Sequence, residues 1–126
     1  HGELKKVRSS ADSSLVYGLD HWEIKMGDNC EKGSQLRPHI VWFGEGVPMI
    51  EKAIDIVSQA DILIVVVASM VVYPAASLIN YVRSEVPKYY IDPKAFAVPG
   101  ISNLTTINET AGVGVPKLIN ELTNKH

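Results

Sequence analysis

The pattern of apolar and polar positions is most distinctive at residues 62–79, ILIVVVASMVVYPAASLI, a run without a charged side chain. A membrane-spanning helix needs about 20 predominantly apolar residues. This run is shorter, and Pro74 interrupts it. Its first part is β-branched, which favours a strand over 62–67. The period then changes. Ala75, Leu78, Ile79 and Val82 recur at the spacing of one helix face, predicting a helix over 74–83 after a loop at 68–73. Pro74 suits the first turn, where its missing N–H costs nothing. A continuous apolar strand of this kind is typical of a parallel sheet covered on both faces.

The flanking pattern agrees. Ile50, Ala53, Ile54 and Val57 mark a helix starting near Pro48, and VPKYYID (86–92) reads as a second strand. AFAV (95–98) and LTTIN (104–108) are further strand candidates. Val115, Leu118, Ile119 and Leu122 share a face of a helix over 115–122, again with a proline near its start. Strands alternating with helices predict an α/β fold with an open parallel sheet, flanking helices and right-handed crossovers. Residues 1–38 are polar and show little period. They predict a small irregular module, in which SSLVYGLDHWEIK forms a hairpin turning at YGLD. The expected division is therefore 1–38 and 39–126.

Composition narrows the function. The chain is 46% hydrophobic and 21% charged, as in ordinary globular proteins, with a net charge of −2. Nothing in that balance suggests the basic face of a nucleic-acid binder. Lys5, Lys6 and Arg8 read as a solvated edge, and no membrane partner is implied. The single cysteine, Cys30, excludes a disulfide framework and any cysteine-rich zinc site. In its polar loop, MGDNCEKGSQ, it reads as an incidental surface thiol. The chain opens with His1 and shows no signal peptide, so trimming from a longer chain and a reducing cytoplasm are expected.

Candidate chemistry follows from the layout. Open α/β sheets bind ligands beyond the carboxyl ends of their strands. The loops there are ASMVVYP, with Ser69, and DPKA, which opens on Asp92. A helix N-terminus favours an anion, and Asp92 could hold a ribose hydroxyl, which together suggest a nucleotide site. No glycine-rich fingerprint is present, and both residues also fit ordinary loop positions. A second stretch, LRPHIVWFGEGVP (36–48), sets Trp42 and Phe43 before Gly44 and Glu45. It is either an edge that accepts an extended peptide or a core aromatic pair before a turn. His21, Trp22 and His39 read as packing or surface residues. His126, the last residue, is expected to be disordered.

LRPHIVWFGEGVP, ADILIVVVASMVVYPAASLI and VPKYYIDP together resemble the carboxyl-terminal half of sirtuins, the NAD-dependent protein lysine deacylases. HGELKKVRS resembles the segment that opens with their catalytic His-Gly. The resemblance implies a Rossmann-like NAD-binding domain. His1 then stands where the family has its general base. Val41 and Phe43 stand at the acyl-lysine tunnel, and Gly44 and Glu45 where the peptide backbone pairs. On the cofactor side, Ser69 matches the serine of the Gly-Thr-Ser loop. Asp92, Pro93 and Lys94 match the segment near the adenosine ribose, and Ala111 a position beside the adenine.

Departures from the family pattern carry their own expectations. Val67 and Ala68 replace the glycine and threonine of Gly-Thr-Ser. A β-branched residue neither lets a ligand approach the backbone closely nor accepts positive φ easily, so NAD binding is expected to be weak or lost. Only Cys30 remains of the four zinc cysteines, so no zinc and no other metal is expected. The family's Gly-Ala-Gly loop, its arginine-containing segment and its Gln-Asn-x-Asp motif would all precede His1. Two functions follow from the resemblance. One is the carboxyl-terminal portion of a deacylase, inactive alone and acting on acyl-lysine peptides when complete. The other is a diverged, non-catalytic remnant serving as a peptide-binding or assembly module. The expected partners are a second copy of the chain or the amino-terminal half.

Overall fold

The computed structural model describes residues 1–124, so His126 lies outside the described residues. Packing divides the chain into two compact units that meet in sequence at Pro48 and Met49. That is ten residues beyond the expected division at 38, because the strand at 36–40 pairs inside the first unit.

The first unit is an antiparallel sheet of β1 (Gly2–Ser9), β2 (Val16–Gly18) and β3 (Leu36–Ile40), in the order β2-β1-β3. The hairpin expected within 13–25 does not form; β2 pairs instead with β1, through a turn at residues 10–15. Turn chemistry explains the shift. The Ser9 hydroxyl accepts the N–H groups of Ala11 and Asp12, and the Asp12 carboxylate accepts that of Ser14, replacing the pairing a strand would give. YGLD continues the ladder instead, with Leu19 N–H donating to the Lys5 carbonyl at 2.9 Å. The long loop before β3 is tied by Gln35. Its amide accepts from Gly27 N–H and donates to the Lys25, Asp28 and Leu36 carbonyls.

Gly2 is required where it stands. Its φ is +108°, and a Cβ there would lie 2.0 Å from the His39 carbonyl oxygen, so β1 can approach β3 this closely only with glycine. Cys30 is buried rather than exposed. Its thiol lies 3.5 Å from the Ser9 hydroxyl under the sheet, and that hydrogen bond, more than the backbone N–H groups around it, pulls its pKa down.

The second unit contains α1 (Ile50–Ser58), β4 (Leu63–Val66), a 3₁₀ helix (Ala75–Tyr81), β5 (Lys88–Ile91), β6 (Leu104–Ile107) and α2 (Ala111–Thr123). The strands form a parallel sheet in the order β4-β5-β6, with Val65 opposite Tyr90 and Tyr90 opposite Thr106. The α/β class and the parallel sheet are as the sequence implied. No described helix is long and apolar enough to cross a membrane.

Four details differ from the sequence pattern. The uncharged strand β4 is not covered on both faces: it lies at the sheet edge and leaves Ile62, Ile64 and Val66 partly exposed. The doubly covered strand is β5, with Lys88, Tyr90 and Ile91 buried. The expected helix at 74–83 is a 3₁₀ turn, and its buried residues, Ala76, Ile79 and Val82, fall at the three-residue spacing of that helix. AFAV is a loop, bent by a turn from the Asp92 carbonyl to Ala95 N–H. Finally, α2 starts at Ala111, so Pro116 is interior. Gly112 and Gly114, poor helix formers, hid that start. Gly114 is where α2 meets β5, since a Cβ there would lie 2.6 Å from Ile91 Cγ2. The buried face therefore runs through Gly114 and Leu118, and Ile119 is exposed.

Lys88 anchors the start of β5. Its ammonium is buried and donates to the carbonyls of Arg83 (2.8 Å), Val86 (2.9 Å) and Ser102 (3.3 Å). Hydrogen bonding to several carbonyls is what makes so buried a charge tolerable.

Candidate functional site

Two groups of candidate residues emerge, one in each unit. In the first, the end of β3 leads through Val41 into a turn at Trp42–Glu45. Glu45 N–H donates to the Trp42 carbonyl, and Gly44 takes φ +85°. Phe43 at its apex is 94% exposed, so it is not part of a core aromatic pair. Trp42 is held instead by a cation–π contact, with the Arg37 guanidinium carbon 4.2 Å from the ring centroid.

Glu45 closes the turn from inside. Its carboxylate accepts from Arg37 at 2.5 and 3.2 Å, from Arg8 at 3.3 Å and from Trp42 N–H at 3.0 Å. The Arg37 hydrogen bond is the chief reason its carboxyl is held down at about 2, with the Trp42 N–H next. Arg8 is therefore not the solvated edge expected of it: its side chain is 15% exposed and faces Glu45. His1 is brought to the same place. Its carbonyl accepts Val41 N–H at 2.8 Å, so the His1 backbone is tied to the residue that leads into the turn while His1 itself stays exposed. His1, Val41, Phe43, Gly44 and Glu45 thus form one local group.

In the second unit the parallel strands end on one side of the sheet. They carry Val67–Ala68–Ser69 after β4, Asp92–Pro93–Lys94 after β5 and Ala111 opening α2 after β6. Tyr90 fixes the first of these loops, its hydroxyl donating to the Ala68 carbonyl at 3.2 Å. Burial, and secondarily the Asp92 charge, push the Tyr90 phenol up. Asp92 caps its own turn, accepting Lys94 N–H at 2.8 Å. Asn108 draws the same loop toward β6 through the Ala95 carbonyl. Thr110, the residue before α2, makes no side-chain cap. Sequence reasoning missed Arg8, Arg37, Tyr90 and Asn108. The alternation of β5, which sends Tyr90 to the face opposite Tyr89, was the available signal for Tyr90.

Val67 bears directly on whether these loops suit a dinucleotide. Its φ is +44°, the left-handed region that glycine occupies freely and a β-branched residue occupies at a cost. The backbone thus takes a glycine-type bend at a valine. An isopropyl group there, 58% exposed, would meet a ligand brought against this bend. Among the described residues, no cluster of three or more His, Cys, Asp or Glu side chains is placed to hold a metal ion.

Comparison with known proteins agrees with the resemblance. The family model described as "Sir2 family" matches residues 1–74. An NAD-dependent protein deacylase of Helicobacter pylori (strain ATCC 700392 / 26695) is 49% identical over 113 residues, covering 88% of this chain and 48% of the relative. Among solved structures, a Sir2 homolog–NAD complex superposes with a TM-score of 0.79 at 31% identity, covering 99% of this chain and 50% of the other. A Sir2 structure bound to a propionylated peptide superposes with a TM-score of 0.72 at 26% identity, covering 96% and 54%. The chain belongs to the Sir2, or sirtuin, family. It spans about half the length of the curated relatives it matches.

Proposed function

We propose that this chain forms the carboxyl-terminal portion of an NAD-dependent protein lysine deacylase, supplies its acyl-lysine peptide rim and one set of its NAD loops, and does not turn over alone. The observation that carries this is the exposed Phe43 turn built beside His1. It sets a solvent-facing aromatic ring, the candidate base and the strand end Val41 in one locality. Val41 contacts the acyl-lysine amide through its backbone, Gly44 and Glu45 pair with the backbone of an extended peptide, Phe43 packs against the acyl-lysine stem, and His1 serves as the base. On the cofactor side Val67, Ala68, Ser69, Asp92, Pro93, Lys94 and Ala111 line the strand ends. Bound NAD supplies the ADP-ribose that accepts the acyl group. The half-exposed Val67 side chain opposes its close approach.

Val67 also favours a second reading, a diverged module that binds peptide or assembles without catalysis. The open edge of β4 supports assembly. Ile62, Ile64, Val66 and Val67 are partly exposed there, and an unpaired strand edge takes up further strands. The partner is a second copy of the chain or the amino-terminal half of a family chain. A metal-free protein acting in the cytoplasm completes this proposal.

Mass spectrometry of an acetyl-lysine peptide incubated with the chain and NAD separates these readings. Deacetylation no greater than with a His1→Ala control is the expected result. Turnover well above that control would refute the claim that the chain is inert. Calorimetric titration with NAD tests the cofactor loops separately, and micromolar affinity would show that Val67 and Ala68 are tolerated. Light scattering tests assembly: a compact monomer at high concentration would count against the β4 edge as a contact.

A further inference from the structure

We propose that Arg8 and Arg37 are positioning residues that set the Phe43 turn through Glu45. The proposal rests on the reading of this turn as a peptide rim and adds what holds it in shape. Four features converge. Arg37 binds Glu45 through both terminal nitrogens, the forked geometry in which guanidinium and carboxylate pair most strongly. Arg8 approaches the same carboxylate from β1. Both guanidiniums also reach the Ile40 carbonyl, at 3.3 Å from Arg37 and 3.5 Å from Arg8, where β3 ends. Glu45 then accepts the Trp42 N–H, and the Trp42 ring lies on Arg37.

The turn is thus clamped at both ends, and its apex is free. Phe43 and Gly44 make no hydrogen bond that orients them among the described residues, and Gly44 has no neighbour within 4 Å of its Cβ position. Without the clamp a turn with φ +85° at Gly44 and a fully solvated phenylalanine would sample many shapes. An extended peptide would then pay the ordering entropy on binding. With it, that entropy is lost on folding. Lysine at either arginine position keeps the charge but loses the fork, and at 37 it also loses the planar surface under Trp42.

The test uses the isotope-labelled chain with three variants: Glu45→Gln, Arg37→Lys and Arg8→Lys. Amide hydrogen exchange is read at Trp42 and Glu45, with Val7 and Ser9 in β1 as internal references. Glu45→Gln is expected to speed exchange at Trp42 and Glu45 by about tenfold or more and leave the references within about twofold. Arg37→Lys is expected to give a smaller rise at the same sites, and Arg8→Lys the smallest. Affinity for an acetyl-lysine peptide is expected to fall in the same order. Unchanged exchange at Trp42 in Glu45→Gln would overturn the proposal. So would an equal rise across β1, which would mark a general loss of structure. A wild-type chain that binds no peptide would sink the rim reading, and the exchange pattern would still decide whether the clamp exists. Faster exchange in Glu45→Gln with unaltered peptide affinity would refute the positioning role.

Discussion

Replacing Val67 by glycine should leave the second unit about as stable as before, and the same change at Val66 should not. The two valines are adjacent at the end of β4, and they differ in backbone conformation. Removing a fully buried valine side chain costs about 1.5–3 kcal/mol. Val66 is 38% exposed, so its loss comes to about 1–2 kcal/mol. Glycine in a strand adds about 0.5–1 kcal/mol of backbone entropy, for a total near 2 kcal/mol. Val67 is 58% exposed and loses about 1 kcal/mol of burial. The same entropy applies there, but glycine also removes a left-handed penalty of about 1–2 kcal/mol. The sum is about zero. Urea unfolding followed by far-UV circular dichroism measures this in the right unit, because α1 and α2 both lie there and both tryptophans lie in the other. A Val67→Gly variant as destabilised as Val66→Gly would refute the claim that position 67 is strained.

Three further outcomes follow from the packing and the charges. Lys88→Met should cost roughly 3 kcal/mol, since the Arg83, Val86 and Ser102 carbonyls lose their donor inside the unit, and urea unfolding measures it. Gly114→Ala should lower the melting temperature despite the better helix propensity of alanine. Its Cβ would meet Ile91 at 2.6 Å, and overpacking costs about 1–3 kcal/mol. Glu45 has its carboxyl held down at about 2 from an ordinary 4.5. Its stabilising effect should be complete above about pH 4.5 and fade as pH falls toward 2, and Glu45→Gln should flatten that acid limb of the Trp fluorescence titration.

Much of the second unit was legible because burial imposes period. The apolar runs located β4, β5 and α1, and the motifs shared with sirtuins identified the family. What stayed hidden depended on side chains acting as backbone partners or on missing neighbours. The β1–β2 turn stayed hidden because Ser9 and Asp12 supply turn hydrogen bonds that no hydrophobic pattern records. The start of α2 was masked by Gly112 and Gly114, and Gly114 is there because β5 passes too close for a Cβ. β4 has the composition of a doubly covered strand, but it lies at an edge, and composition alone cannot tell the two apart. Val67 was legible as a departure from the sirtuin pattern, and its φ of +44° lies in the region that glycine occupies freely. Glu45 was expected at a position whose backbone pairs with a peptide, which says nothing of its side chain. That carboxylate turns inward, because Arg8 and Arg37, 29 residues apart in sequence, meet there, a juxtaposition only the folded sheet creates.

The most direct test of the central claim is a heteronuclear NMR titration of the labelled chain with an acetyl-lysine peptide and with the same peptide unmodified. The expected result is a set of shifts concentrated at Val41–Glu45 and His1 for the acetylated peptide and near-absent for the unmodified one. Equal shifts with both peptides, or shifts confined to residues outside that turn, would contradict a rim built to take acyl-lysine.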